Sequence, residues 1–352
     1  MWLQKAVLSN CQRRITHFIP NWNSLHHAKS KLVPPSQNHF LVNRTFRTNL
    51  NLQKPAKLDT GSLQELVTYG PIPPGNVFKA LVFTGAFSIG TFMGATILEY
   101  ENTRNMMIEK ARQSKLNWMQ RRPNVANNYW NNLKTDLKQL WHQLGPGEQV
   151  FAPIFAFNLL VFGLWRVPRF RQVMTTYFCS NPVGKVVCWP MFLSTFSHYS
   201  TVHIFANMYV LHSFSNAAVL SLGKEQFLAV YLSGGVIASL ASIVYKAARS
   251  QAGLSIGASG AIMAILAYVC TQYPDTKLSI LFLPTLVFSA SSAIKVIMSI
   301  DLIGCVMGWK FFDHAAHLGG ALFGLFYAYF GHEVWQKRLP FLTMYHNFRK
   351  TK

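Results

Sequence analysis

The 352-residue chain is short of charge: 13% of its residues are Asp, Glu, Lys or Arg, while 50% are hydrophobic. Soluble domains carry about 25% charged residues, so the composition speaks against a water-soluble fold and for a membrane. Acids are scarcest, 12 against 33 Lys and Arg, which leaves a formal net charge of +21. A nucleic-acid binder would concentrate such a surplus in a folded soluble domain. Here many of the basic residues gather near the N-terminus, in 101–149 and in the tail. That placement fits targeting and contact with anionic lipid headgroups, and no nucleic-acid partner is expected. Cysteine is sparse too. Cys11, Cys179, Cys188, Cys270 and Cys305 form no C-x-x-C pair, so neither a metal knuckle nor a dithiol motif is supported. No H-E-x-x-H occurs, because His332-Glu333-Val334-Trp335-Gln336 lacks the second histidine. No internal repeat of the kind common in transporters is evident. The expectation is therefore no metal and no cofactor.

What the chain has instead is apolar runs. Residues 80–98 carry no charge and, at about 1.5 Å per helical residue, can span a bilayer. Further candidate spans are 150–167, 202–222, 227–245, 256–272, 286–308 and 315–331. The expected fold is thus an all-α membrane protein with one N-terminal transmembrane helix followed by a six-helix bundle at 150–331, seven spans in all. Two of the runs are broken by polar residues. His203, Asn207, His212 and Asn216 fall in one, Lys295 and Asp301 in another. Polar groups at membrane depth are costly, face the protein interior and are often functional.

Outside the bundle, residues 1–58 hold nine Lys or Arg and no acid. This is the bias of a mitochondrial transit peptide, with a disordered basic tail as the plainer reading. A Pro-rich lead-in at 59–79 precedes the first span, a polar, helical connector occupies 99–149, and a basic tail covers 332–352. The connector carries amphipathic stretches that suit either the membrane interface or a solvated helix pair.

Three motifs carry chemistry. Gly257-Ala258-Ser259-Gly260 sets a serine among glycines at a helix start, where backbone approaches closely and free N–H groups meet a developing anion. Asp313-His314-Ala315-Ala316-His317-Leu318-Gly319-Gly320 opens the last span. Gly320 and Gly324 follow His317 at helical spacing, so one face is small and can press against a neighbour. That would bring His317, a base suited to neutral pH, to a serine that needs one. His203 and Asn207 stand at i and i+4, on one helix face, and both can donate hydrogen bonds to an oxyanion. Taken alone, the serine motif and His317 are better read as helix packing and an interhelical tie, and His203 with Asn207 also suits interhelical hydrogen bonding. The histidines His198, His203, His212, His314 and His317 also suit a metal, and a polar-lined bundle suits a transporter.

The three motifs together, H-x-x-x-N, G-x-S-G and A-H-x-x-G on three different spans, resemble the rhomboid family of intramembrane serine proteases over about residues 155–331. The resemblance implies Ser259 as nucleophile, His317 as its base, His203 and Asn207 as oxyanion-stabilising residues, and no required third acid. Asp313 is near but receives no role. The added span, the leader and the run Trp309-Lys310-Phe311-Phe312-Asp313-His314 look like the mitochondrial members with a one-plus-six plan. They imply a multi-pass protein of the inner membrane, with single-span membrane proteins as substrates and roles in mitochondrial quality control and membrane dynamics. Two positions depart from the common pattern: Trp189-Pro190 replaces a Trp-Arg pair, and Met263 stands where a tyrosine would stack beneath the histidine. The alternative is a non-proteolytic membrane protein, a transporter or an inactive relative.

Overall fold

A computed structural model describes residues 71–119, 129–251, 253–280 and 283–350. The leader at 1–58 and the lead-in up to residue 70 lie outside the described residues. Among the described residues eleven α-helices and one hairpin follow in order. They are α1 (Pro74–Met119), α2 (Tyr129–Gln143), α3 (Pro146–Leu164), the short α4 (Arg171–Tyr177) and α5 (Cys188–Leu193), α6 (Thr201–Leu222), α7 (Lys224–Ala248) and α8 (Ser259–Gln272). Strands β1 (Lys277–Ile280) and β2 (Leu283–Ser289), α9 (Ala290–Met307), α10 (His314–Gln336) and α11 (Leu339–Lys350) complete the chain. The protein is an all-α membrane protein. Among the described residues four helices, α1, α3, α7 and α9, are long and apolar enough to cross a membrane by length and composition, and α8 is apolar but only 14 residues long. Helices α6 and α10 have 22 and 23 residues, but their histidines and other polar residues lower their apolarity.

Local sequence explains the boundaries. Pro74 and Pro146 occupy first helical positions, where a missing N–H costs nothing. Ser200, Ser289 and Asp313 cap α6, α9 and α10 by accepting the N–H of His203, Ser292 and Ala316. The span read at 80–98 lies inside α1, which continues as one helix to Met119. The run read as a span from 286 begins instead as strand, with β2 antiparallel to β1 and Lys277 opposite Ser289. Thr285-Leu286-Val287-Phe288 is rich in β-branched and aromatic residues, which favour a strand, and the Ser289 cap delays the helix to Ala290.

Helices α7, α8 and α10 form the centre. Between membrane helices apolar burial alone gives little attraction, and close packing of small residues matters more. Here the contacts are extreme. A Cβ on Gly320 would lie 2.0 Å from the Gly260 carbonyl oxygen, and one on Gly324 2.1 Å from that of Ala264, so α10 rests directly on the backbone of α8. On the other side, a Cβ on Gly260 would meet Ala238 of α7 at 2.4 Å. Helix α1 packs along α7, where the Thr91 and Ser233 hydroxyls meet at 2.8 Å. The far end of α1 receives α11 through Glu101 with Tyr345 and Arg349, and Glu99 pairs with Arg338 in the turn just before α11.

The helices alternate in direction. The first residues of α6, α8 and α10 and the last of α7 and α9 gather at one face. At the other face Gln226 reaches Tyr327, Ser221 meets Tyr268 and Gln272 donates to the Ala328 carbonyl.

Candidate active site

Ser259 is the first residue of α8, and its turn is shaped by the residue two before it. Gly257 adopts φ +124°, a conformation open to glycine, and a Cβ there would strike the His203 ring at 2.7 Å. The loop is fixed by Gly257 N–H donating to Ser194 O at 3.0 Å, and by Ala258 N–H donating to His198 Nε2 at 3.4 Å. His198 is fully buried and so acts as a support behind the serine turn. As at any helix start, the first-turn N–H groups beyond Ser259 have no intrahelical acceptor and point toward the open end.

His317 is the fourth residue of α10 and half-buried. The α8–α10 contact at Gly320, one turn on, brings its Nε2 to 2.9 Å from Ser259 Oγ. Its other nitrogen, Nδ1, lies 3.3 Å from Asp301 Oδ1 of α9. That oxygen is also 2.7 Å from His314 Nδ1. Asp301 is buried, whereas Lys295 on the same helix is exposed. A carboxylate oxygen only accepts, so both imidazoles present Nδ1–H to Asp301, and His317 Nε2 faces the serine hydroxyl as a bare lone pair. Sequence reading flagged Asp301 as a charge inside an apolar run but gave it no partner.

Asp313 has a different task. Its Oδ1 caps α10, while its Oδ2 accepts from Ser242 and Ser255 at 2.5 Å and from Lys246 at 3.2 Å. The cluster ties the end of α7, the loop before Ser259 and the start of α10 together. Burial alone would raise the Asp313 carboxyl, but Lys246, the two hydroxyls and the Ala316 N–H outweigh it and hold it at about 2.

Ser259, His317, His203, Ser255 and Asp313 line one cavity of about 720 Å³ at this face. Asn207 is buried one turn below His203 and donates from Nδ2 to the His203 carbonyl at 2.9 Å. One of its two amide protons is thus taken by its own helix. Met263 packs among Leu266, Ala267, Cys270, Ala290, Ile294 and Ala321. Phe312 contributes an aromatic ring 6.1 Å from that of His317. Trp189 is exposed on α5, 6.5 Å from the ring of Phe83. Among the described residues no three His, Cys, Asp or Glu side chains converge as a metal site.

A family model described as the rhomboid domain matches residues 186–334. The chain is 44% identical over 319 residues to the mitochondrial presenilin-associated rhomboid-like protein of Rattus norvegicus, covering 86% of this chain and 84% of that one. To the Homo sapiens protein of that name it is 46% identical over 290 residues, 82% and 76% of the two chains. To the mitochondrial rhomboid protein 1 of Saccharomyces cerevisiae it is 32% identical over 187 residues, about half of each. The chain therefore belongs to the rhomboid family, and along most of its length it is similar to the mitochondrial presenilin-associated rhomboid-like proteins.

Proposed function

We propose that the protein is an intramembrane serine endopeptidase in which Ser259 is the nucleophile and His317 its general base. Membership of the rhomboid family and the presenilin-associated rhomboid-like relatives support an intramembrane protease role. The observation that carries the assignment is the 2.9 Å contact between His317 Nε2 and Ser259 Oγ, with the imidazole proton held on Nδ1 by Asp301. That is the geometry general-base activation of a hydroxyl requires.

The reaction is acyl transfer. His317 Nε2 takes the Ser259 proton as Oγ bonds to the scissile carbonyl carbon. The carbonyl oxygen becomes an oxyanion, received by the Ser259 backbone N–H, by His203 at the cavity wall and by the second amide proton of Asn207. Collapse breaks the C–N bond, and His317 returns its proton to the leaving amine. A water then enters the 720 Å³ cavity and gives a proton to His317 as its oxygen bonds to the acyl carbon; collapse breaks the C–Oγ bond, releases the acid, and His317 returns the proton to Ser259 Oγ. Asp301 holds the imidazole orientation and stabilises the imidazolium between these steps.

The substrate must expose a peptide carbonyl inside a bundle where backbone is otherwise hydrogen-bonded. This favours single-span segments weakened by Gly or Pro. The acid-free leader and the mitochondrial relatives support a mitochondrial membrane protein, and its proposed place is the inner membrane, crossed by seven spans. The substrates are then imported mitochondrial membrane proteins, and the role lies in quality control and membrane dynamics. Purified full-length protein in vesicles should cleave a single-span substrate, and Ser259→Ala and His317→Ala should each abolish cleavage with unchanged melting. Cleavage retained in either variant refutes the assignment, and a protein that cleaves no membrane substrate at all favours the non-proteolytic reading.

A further inference from the structure

We infer that His314 is a positioning residue of the reacting pair: by donating to Asp301 it fixes the carboxylate that orients His317. The inference rests on the reading of Ser259 and His317 as nucleophile and base. Helix α9 presents a seat for the His314 ring. Asp301 and Gly304 are i and i+3 on one face of α9. The His314 ring lies against bare Gly304, where an added Cβ would come within 2.5 Å of it. From that seat His314 Nδ1 reaches Asp301 Oδ1 at 2.7 Å, closer than His317 Nδ1 at 3.3 Å. Trp309, Phe311 and Phe312 surround the same ring, with centroids 5.9–6.5 Å away.

The seat matters because Asp301 is poorly served otherwise. Its side chain is 5% exposed, and its Oδ2 has no hydrogen-bond partner among the described residues. A buried carboxylate needs donors to stay charged and fixed. With His314 in place, Oδ1 receives one short and one long hydrogen bond, and His317 holds the weaker share of a carboxylate already anchored. His314 stands one turn before His317 on α10 and touches no reacting atom. Its own Nε2 is buried and has no hydrogen-bond partner among the described residues, so the ring is held through Nδ1. The charged and titratable groups that line the cavity with the two histidines are Cys179, His203, Tyr245, Lys246, Cys305, Lys310 and Asp313, and Asp301 meets both rings at Nδ1.

Two substitutions separate a donor from a spacer. Phenylalanine keeps the ring against Gly304 and removes the donor; asparagine offers an amide N–H where Nδ1 stood. In full-length protein in vesicles, His314→Phe should lower kcat/KM at neutral pH on the order of tenfold to a hundredfold, the worth of one hydrogen bond to a charged group. His314→Asn should stay within about threefold of the parent. The rate of Ser259 labelling by a fluorophosphonate should follow the same order without any substrate. Equal losses in both variants, in proportion to lowered Tm, would overturn the inference, as would parent-like activity in His314→Phe. Ser259→Ala runs in parallel: if it still cleaves, the underlying reading fails, whereas an inactive Ser259→Ala beside a parent-like His314→Phe rejects the role of His314 alone.

Discussion

Replacing Gly320 by alanine tests the contact that joins the nucleophile to its base. The added Cβ would lie 2.0 Å from the Gly260 oxygen, where ordinary contact begins at 3.4 Å. Neither partner is a flexible side chain, so α10 must move from α8 by about 1.4 Å or tilt by an equivalent amount. Overpacking of this kind costs about 1–3 kcal/mol. The functional cost should be larger than the stability cost suggests. Gly320 is one turn from His317, and the Ser259–His317 contact of 2.9 Å would stretch past hydrogen-bond range. A displacement of about 1 Å in a reacting pair can cost about a hundredfold in rate. Gly324→Ala serves as the control. Its Cβ meets the Ala264 oxygen at 2.1 Å, an equal clash one turn farther from the site. The assay is kcat/KM on a single-span substrate in vesicles, beside Tm. Gly320→Ala and Gly324→Ala should lose similar Tm, and Gly320→Ala should lose at least about tenfold more activity. Unchanged Tm in both, or equal activity in both, would refute the argument that backbone contact sets the dyad distance.

Asp301→Asn keeps the shape of the side chain but no longer enforces Nδ1–H on His317; kcat should fall by about tenfold to a thousandfold with KM little changed, and parent-like kcat would deny Asp301 a part in orienting the base. His203→Ala and Asn207→Ala should each lower kcat by about tenfold to a thousandfold, less than Ser259→Ala, because the backbone N–H and the remaining donor persist; losses that only track Tm would assign both to packing. Asp313 has a folded pKa depressed to about 2, so its contribution to stability is complete above the unfolded carboxylate range near 4 and is lost as pH falls from there toward 2. Thermal unfolding at a series of pH values should therefore show the Asp313 contribution intact at pH 5, and Lys246→Met should destabilise by about 2–4 kcal/mol at neutral pH by leaving the carboxylate unpaired. A Lys246→Met protein as stable as the parent would mean the cluster holds nothing together.

The main helices and the residues now gathered at the cavity were legible because a bilayer makes polar residues conspicuous. Ser259, His203 and His317 stood out as exceptions in apolar runs, and Gly320 and Gly324 announced a close approach through their spacing. What the sequence concealed were pairings between elements. Asp301 was visible as a misplaced charge, but its partners lie 13 and 16 residues on, across a loop, and only the packing of α9 on α10 joins them. Asp313 lacked a role for the same reason, since Lys246, Ser242 and Ser255 come from α7 and the next loop. The hairpin was missed because 277–289 continues into an apolar helix, and an apolar run of that length does not distinguish strand from helix by hydropathy. Asn207 shows the limit of face arguments. It shares a helix face with His203, yet one of its protons goes to the helix backbone.

The central claim is that Ser259 is a nucleophile activated by His317. Purified full-length protein in detergent, treated with a fluorophosphonate and digested for mass spectrometry, measures this without a substrate or a membrane. The account predicts one adduct, on Ser259, formed quickly in the parent at neutral pH and more than about a hundredfold more slowly in His317→Ala, where no base takes the proton. An adduct on another residue, or labelling of Ser259 at the parent rate when His317 is gone, would contradict it.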